Sequence, residues 1–152
     1  MKHIAVFPGS FDPFTKGHES IVRKALPLFD EIIIAFGINV SKNYLFDSEK
    51  RVQQVRNIYQ NEPKIKVVTY QGLTTKFCES VGAKHLIRGL RNTIDFEYEK
   101  PIAGMNKSMS GIETVLFYTD AEVEAISSTI LREIHKSGGD ISPYVTNFKD
   151  LV

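Results

Sequence analysis

The chain has 152 residues, 42% of them hydrophobic and 24% charged, with a formal net charge of +1, which is room for one domain over residues 1–152 and none for a second. The near-zero charge, without a long Lys/Arg block, argues against extended nucleic-acid binding, and no apolar run approaches membrane-spanning length. The single cysteine, Cys78, excludes an internal disulfide, and Met1-Lys2-His3 leads straight into strand residues instead of a signal-peptide core, so a soluble cytoplasmic protein is expected.

Taken in order, Ile4-Ala5-Val6-Phe7-Pro8 is an apolar run that reads as a central parallel strand. It enters Gly9-Ser10-Phe11-Asp12-Pro13-Phe14-Thr15-Lys16-Gly17-His18, after which Ile21, Val22, Ala25 and Leu26 recur on one helical face until Pro27 disturbs it. Unpaired amides at that helix start, with the positive end of its dipole, favour an anion, and His18 points into the same space. Glu31–Gly37 is a second buried strand, followed by a polar loop through Lys42. Asp47 or Ser48 caps a helix whose inner face is Val52, Val55, Ile58 and Tyr59. Lys66–Tyr70 is a third strand, and Thr74 or Thr75 opens a short helix that Gly82 closes. His85-Leu86-Ile87 is a fourth strand, cut off at Arg88-Gly89. From about Asn92 a longer helical pattern puts Ile94, Tyr98, Ile102 and Met105 on one side, and Pro101 predicts a kink or break within it. Thr114–Tyr118 is the fifth strand, and a last helix from Ser127 or Ser128 carries Ile130, Leu131 and Ile134 and stops at Gly138-Gly139.

Strands alternating with helices call for an α/β fold: a Rossmann-like, doubly wound, five-stranded parallel sheet with helices on both faces. The sequence leaves strand order open. If it is 3-2-1-4-5, the winding reverses between strands one and four, and the Ser10 to His18 loop faces the Arg88 to Arg91 turn across one crevice.

Neither Gly-x-Gly-x-x-Gly nor Gly-x-x-x-x-Gly-Lys-Ser/Thr is present, which weakens dehydrogenase and kinase readings. The decapeptide ending in Thr15-Lys16-Gly17-His18 instead resembles the Thr-x-Gly-His form of the nucleotidylyltransferase signature, with Thr15 where the wider superfamily often has a first histidine. Arg88-Gly89-Leu90-Arg91, followed by Asp95-Phe96-Glu97-Tyr98-Glu99 and Met105-Asn106, is similar to the fourth-strand region of bacterial phosphopantetheine adenylyltransferases. Ile126-Ser127-Ser128-Thr129, with Arg132 after it, resembles the Ser-Ser-Thr element of adenylyltransferases more widely, and Lys42 falls where the family keeps a lysine.

The resemblance implies transfer of AMP from ATP to the phosphate of phosphopantetheine, with release of pyrophosphate and formation of dephospho-coenzyme A. It implies His18 as transition-state stabiliser, with Lys42 and Arg91 offsetting charge on the reacting phosphates. Ser10, Lys42, Thr74 and Arg88 would hold phosphopantetheine. Ser10, Phe11, His18, Gly89, Leu90, Arg91, Glu99 and the run Val123, Glu124, Ala125, Ile126, Ser127, Ser128, Thr129 would enclose ATP, with Mg2+ on its phosphates. A homohexamer and feedback inhibition by coenzyme A are further implications of the family. The rivals are adenylyl or cytidylyl transfer to another phosphorylated acceptor, such as nicotinate mononucleotide, and a catalytically silent nucleotide-binding regulator.

Each residue also has an ordinary reading. Arg88 and Arg91 could simply pair with Asp95 or Glu99, Ser127 to Thr129 and Thr74 could be helix caps, Lys42 could be solvated, and Cys78 sits at a core position. His3, His85 and His135 lack metal-ligand spacing with each other or with Cys78, so no structural metal site is expected. The protonation state of His18 is open, since a helix start lowers its pKa and nearby phosphates raise it.

Overall fold

A computed structural model describes residues 1–152. Five strands, β1 (Ile4–Gly9), β2 (Glu31–Gly37), β3 (Ile65–Tyr70), β4 (His85–Leu90) and β5 (Glu113–Tyr118), form one parallel sheet in the order β3-β2-β1-β4-β5. The five helices are α1 (Lys16–Ala25), α2 (Ser48–Ile58), α3 (Thr74–Ser80), α4 (Thr93–Ser110) and α5 (Ser128–Lys136). The winding reverses at β1/β4, as expected. No helix is long and apolar enough to cross a membrane.

The central strands β1 and β2 are buried on both faces, which is why they read as unbroken apolar runs. One layer of core gathers Phe7, Ile32, Ile34 and Ile87 with Ile21, Val22 and Ala25 of α1 and Val52 and Val55 of α2. The other face packs Val6, Ile33, Ala35 and Leu86 against Cys78, Ala83 and Ile112. Burial raises the Cys78 thiol pKa to about 11, so it serves as a small core residue. A third cluster, Phe46, Leu131, Ile141, Val145 and Leu151, ties two C-terminal 3-10 turns to α5 and the segment before α2. The sequence pattern did not announce it, because residues 141–152 form turns too short to show a period.

Three local expectations change. β4 is not cut off at Arg88-Gly89 but runs to Leu90, because Arg88, Gly89 and Leu90 pair in register with Leu116, Phe117 and Tyr118 of β5. α4 is assigned as one unbroken helix through Pro101, and its Ile94, Tyr98, Ile102 and Met105 side faces outward, exposed, while Glu99 is its only buried residue. α3 opens at Thr74 as expected but without a side-chain cap, because the capping position falls on Leu73, which has no acceptor, and the Thr74 hydroxyl pairs with that of Tyr70 at 2.8 Å. Asp47 caps α2 and Ser127 caps α5, the latter through Ile130 N–H at 3.1 Å.

The sheet parts where the winding reverses. β1 and β2 stay in register over six residues, but β1 and β4 pair only through Ala5↔His85 and Val6↔Leu86. Beyond Val6 the strands open a crevice, and Pro8, which has no N–H to offer, sits on its wall. On the far side, Gly89 allows α1 to close onto β4: a Cβ there would lie 2.8 Å from Cγ1 of buried Ile21. Gly89→Ala is therefore expected to lower stability by about 1–3 kcal/mol through overpacking, read as a fall in the denaturant midpoint; an unchanged midpoint would refute the close approach.

Candidate active site

The crevice is a cavity of about 390 Å³ at the carboxyl ends of β1 and β4. Ser10, Phe11, His18 and Lys42 line it from the first half of the chain, and Arg88, Gly89, Arg91 and Glu99 from the second. Ile126, Ser127, Ser128 and Thr129 close it from the start of α5. Thr74 lines an adjoining cavity of about 430 Å³, which shares Ser10, Arg88 and Glu99 with the first. Leu90, Val123, Glu124 and Ala125 line neither: Leu90 is buried at the end of β4, and Glu124 and Ala125 are exposed just beyond the 3-10 turn Ala121–Val123.

His18 is fixed by its own helix start. Thr15 caps α1, its Oγ1 accepting from Gly17 N–H at 3.1 Å and His18 N–H at 3.4 Å, while Thr15 N–H donates back to His18 Nδ1 at 2.9 Å. This is a reciprocal capping box with histidine in the place usually held by Glu or Gln. Of the amides expected free at this helix start Thr15 has taken two, and that of Lys16 is left without an acceptor. Because Nδ1 accepts, the neutral ring carries its proton on Nε2. The ring stacks on Phe14 with centroids 5.1 Å apart and meets the edge of Phe11 at 5.0 Å. Burial, reinforced by the charges of Arg88 and Arg91, lowers its pKa from 6.5 to about 3. In the ligand-free protein His18 is thus a neutral hydrogen-bond donor, the state from which bound phosphates would raise its pKa.

Free amides on residues that line the cavity are found at α5. Ser127 Oγ takes Ile130 N–H, but Ser128 and Thr129 N–H have no acceptor within the protein, and both residues face the cavity. α5 is stitched to the first loop by Ser128 Oγ, donating to the Pro13 carbonyl at 2.8 Å, and by Arg132 Nη1, donating to the Asp12 carbonyl at 2.9 Å.

Arg88 in β4 and Arg91 just beyond its end keep the ordinary pairing and also line the cavity. Arg88 is held by Glu99, with Nε 3.0 Å from each carboxylate oxygen and Nη2 2.8 Å from Oε2, and its Nη1 donates to the Pro8 carbonyl at 2.9 Å across the parted strands. Arg91 donates to Asp95 from its backbone N–H at 2.9 Å, Nε at 3.0 Å and Nη2 at 3.1 Å, leaving Nη1 free. Burial alone would raise the Asp95 carboxyl pKa, but these Arg91 hydrogen bonds and charge hold it below the usual value. Lys42 is in no ion pair; its Nζ donates to Ser10 Oγ at 3.1 Å.

Other residues also line the cavity: Asp12, Asp95, Tyr98, Thr119 and Arg132. Arg132 had a usable signal, four residues beyond Ser128 on the same helix face. Thr119 had none, because only the sheet brings it to the crevice.

The arrangement gathers an imidazole N–H, the guanidinium groups of Arg88, Arg91 and Arg132, an ammonium and unpaired helix amides around one space, so it suits a polyphosphate. The cytidylyltransferase-like family model matches residues 6–134. The chain is 48% identical over 141 residues to the phosphopantetheine adenylyltransferase of Flavobacterium psychrophilum, covering 93% of each chain. The chain belongs to the phosphopantetheine adenylyltransferase family. The relative of that name in Bacteroides thetaiotaomicron is 49% identical, again over 93% of each chain. A crystal structure of a Vibrio parahaemolyticus protein, provisionally described as a nicotinate-nucleotide adenylyltransferase, superposes with a TM-score of 0.68 at 21% identity over 99% of this chain and 97% of that one; it shows the fold.

A histidine pKa near 3 makes a sign-definite expectation for this family member. The unfolded chain takes up a proton near pH 6.5 and the folded site does not, so His18 favours the folded state fully above that pH and progressively less as pH falls toward about 3. In an NMR titration of the ligand-free protein the His18 ring signals should stay in place between pH 8 and about 5. A midpoint near 6.5 would show that the ring is solvated and its cap bond absent.

Proposed function

We propose that the whole chain, 1–152, acts in the cytoplasm as one catalytic domain that transfers the adenylyl group of ATP to the phosphate of phosphopantetheine. An oxygen of the acceptor phosphate attacks the α-phosphorus, the bond to the bridging oxygen breaks, and pyrophosphate leaves with that electron pair, giving dephospho-coenzyme A. The attacking group is already an oxyanion, so no activated serine or cysteine is needed and catalysis is positioning plus charge stabilisation. The observation that carries this reading is the meeting of His18, Lys42, Arg88, Arg91 and the Ser128 and Thr129 amides on one cavity, in a chain 45–49% identical to relatives of this name.

On this reading neutral His18 donates Nε2–H to an α-phosphate oxygen, where a hydrogen bond strengthens as charge grows. Arg91, with Nη1 free, and Lys42 offset charge on the reacting phosphates. The start of α5 holds the leaving phosphates, and Ser10, Phe11, Gly89 and Glu99 complete the nucleotide site. The acceptor phosphate rests between Ser10, Lys42 and Arg88, and its pantetheine arm extends toward Thr74 in the adjoining cavity. Leu90 and Val123 support the nucleotide site from outside the cavity, their carbonyls accepting from the N–H groups of cavity-lining Thr119 at 2.9 Å and Ile126 at 3.0 Å, while Glu124 and Ala125 stay exposed beside it.

The carboxylates lining the cavity are those of Asp12, Asp95 and Glu99, each engaged by protein donors, and no group of three or more metal-ligating side chains is present. Mg2+ therefore fits as an ion carried on the ATP phosphates, where it supplies neutralisation of their charge. Coenzyme A, which contains the product, would act as feedback inhibitor by occupying the same two cavities. The exposed apolar side of α4, with Tyr118 at the sheet edge, supports association of copies of this chain, and the homohexamer is what the family resemblance implies for their number; light scattering that returns any other mass would remove that part of the reading.

With Mg2+ and ATP, the purified protein should release pyrophosphate when given phosphopantetheine and not when given nicotinate mononucleotide; the opposite preference would overturn the acceptor. His18→Ala should lose at least about 100- to 1000-fold in kcat, the usual effect of deleting one aimed donor. Unchanged turnover would remove His18 from the mechanism.

A further inference from the structure

Behind the cavity lies one charge for which the reaction has no direct use. Arg51, in α2, is 1% exposed, although a guanidinium is unfavourable to bury unless its N–H groups find acceptors. Its counter-ion does not supply them. Arg51 Nε is 3.9 Å from Asp12 Oδ1, and the Asp12 oxygens already accept the N–H groups of Leu45 at 2.8 Å and Phe46 at 3.0 Å. Arg51 donates instead to backbone: Nε to the Phe46 carbonyl at 2.9 Å and Nη1 to the Ser10 carbonyl at 2.5 Å. Its Cζ lies 4.3 Å from the centre of the Tyr44 ring, which fixes the plane of the fork.

Asp12 and Arg51 therefore join two segments that meet nowhere in sequence: the loop after β1, carrying Ser10, and the loop after β2, carrying Lys42. At the front of the same unit, Lys42 Nζ rests on Ser10 Oγ at 3.1 Å. Arg51 itself lines neither cavity. We propose that Arg51 is a positioning residue for the acceptor half of the site, setting where Ser10 and Lys42 stand by holding the Ser10 and Phe46 carbonyls in one plane. The inference rests on the proposed function for what Ser10 and Lys42 bind. Charge alone does not meet this task, since a lysine ammonium is a point donor and cannot span both carbonyls as a planar fork does.

The test is steady-state kinetics with both substrates varied, for wild type, Arg51→Met and Arg51→Lys, each with its folded fraction read from a thermal melt. A merely structural role lowers kcat in step with the folded fraction and leaves both KM values alone. Positioning requires the KM for phosphopantetheine, which rests on both Ser10 and Lys42, to rise about tenfold in Arg51→Met and at least about threefold more than that for ATP, whose site shares Ser10, with partial recovery in Arg51→Lys. An unchanged acceptor KM in the folded variants overturns the inference. If neither variant folds, Asp12→Asn loosens the same unit from its other side, and the same split in KM is required of it. A wild-type protein inactive with phosphopantetheine would sink the functional reading instead. Crystal structures of wild type and of a folded variant then decide positioning alone: Lys42 and Ser10 must separate in the variant, and an unchanged pair overturns it.

Discussion

The site exists because β1 and β4 stop pairing after Val6. In a parallel sheet every strand hydrogen bond not made leaves groups to be met by side chains, water or a ligand, and here the parting falls at the winding reversal, where helices leave in opposite directions. Pro8 removes one donor from the open edge, and Arg88 reaches across to its carbonyl from the neighbouring strand. The crevice is therefore spanned by a cation at its base. The neighbouring loops then converge on it: the decapeptide after β1, Lys42 after β2, Arg91 after β4 and α5 after β5.

The charge in that crevice is organised by carboxylates. Glu99 and Asp95 each take an edge of one arginine, which aims the remaining N–H groups and lowers the self-repulsion of clustered cations. The same two cations act on His18 and, after burial, keep its ring neutral. Capping chemistry and electrostatics agree here: the Thr15 amide occupies Nδ1, and nothing in the surroundings favours a second ring proton. The helix start thus sets the tautomer and direction of the ring, while burial and the two arginines set its charge.

Legibility varied by residue for identifiable reasons. β2 was readable to the residue because both its faces are buried, so its run Glu31–Gly37 is apolar almost throughout. α4 was readable as a helix from its spacing but misleading as to its inner face: its periodic apolar side is exposed, and the residue it buries is Glu99, neutralised by Arg88. Pro101 did not end it, since one lost backbone bond is a local penalty within an 18-residue helix. The end of β4 was misplaced because arginine and glycine look like a turn, while register with β5 carries the strand on to Leu90.

By itself, the chain's sequence determined the alternation of elements, the decapeptide and its histidine, and the family resemblance, because these are local patterns of polarity, spacing and residue type. Tertiary structure alone decided which groups share a cavity, which amides remain free, and how His18 is protonated. Each of those depends on residues from distant segments: Arg88 on the pKa of His18, Ser128 on Pro13, and Arg51 on Ser10. Electrostatic and hydrogen-bond energies follow distance in space, and one-dimensional spacing carries no record of distance between strands that only the sheet brings together.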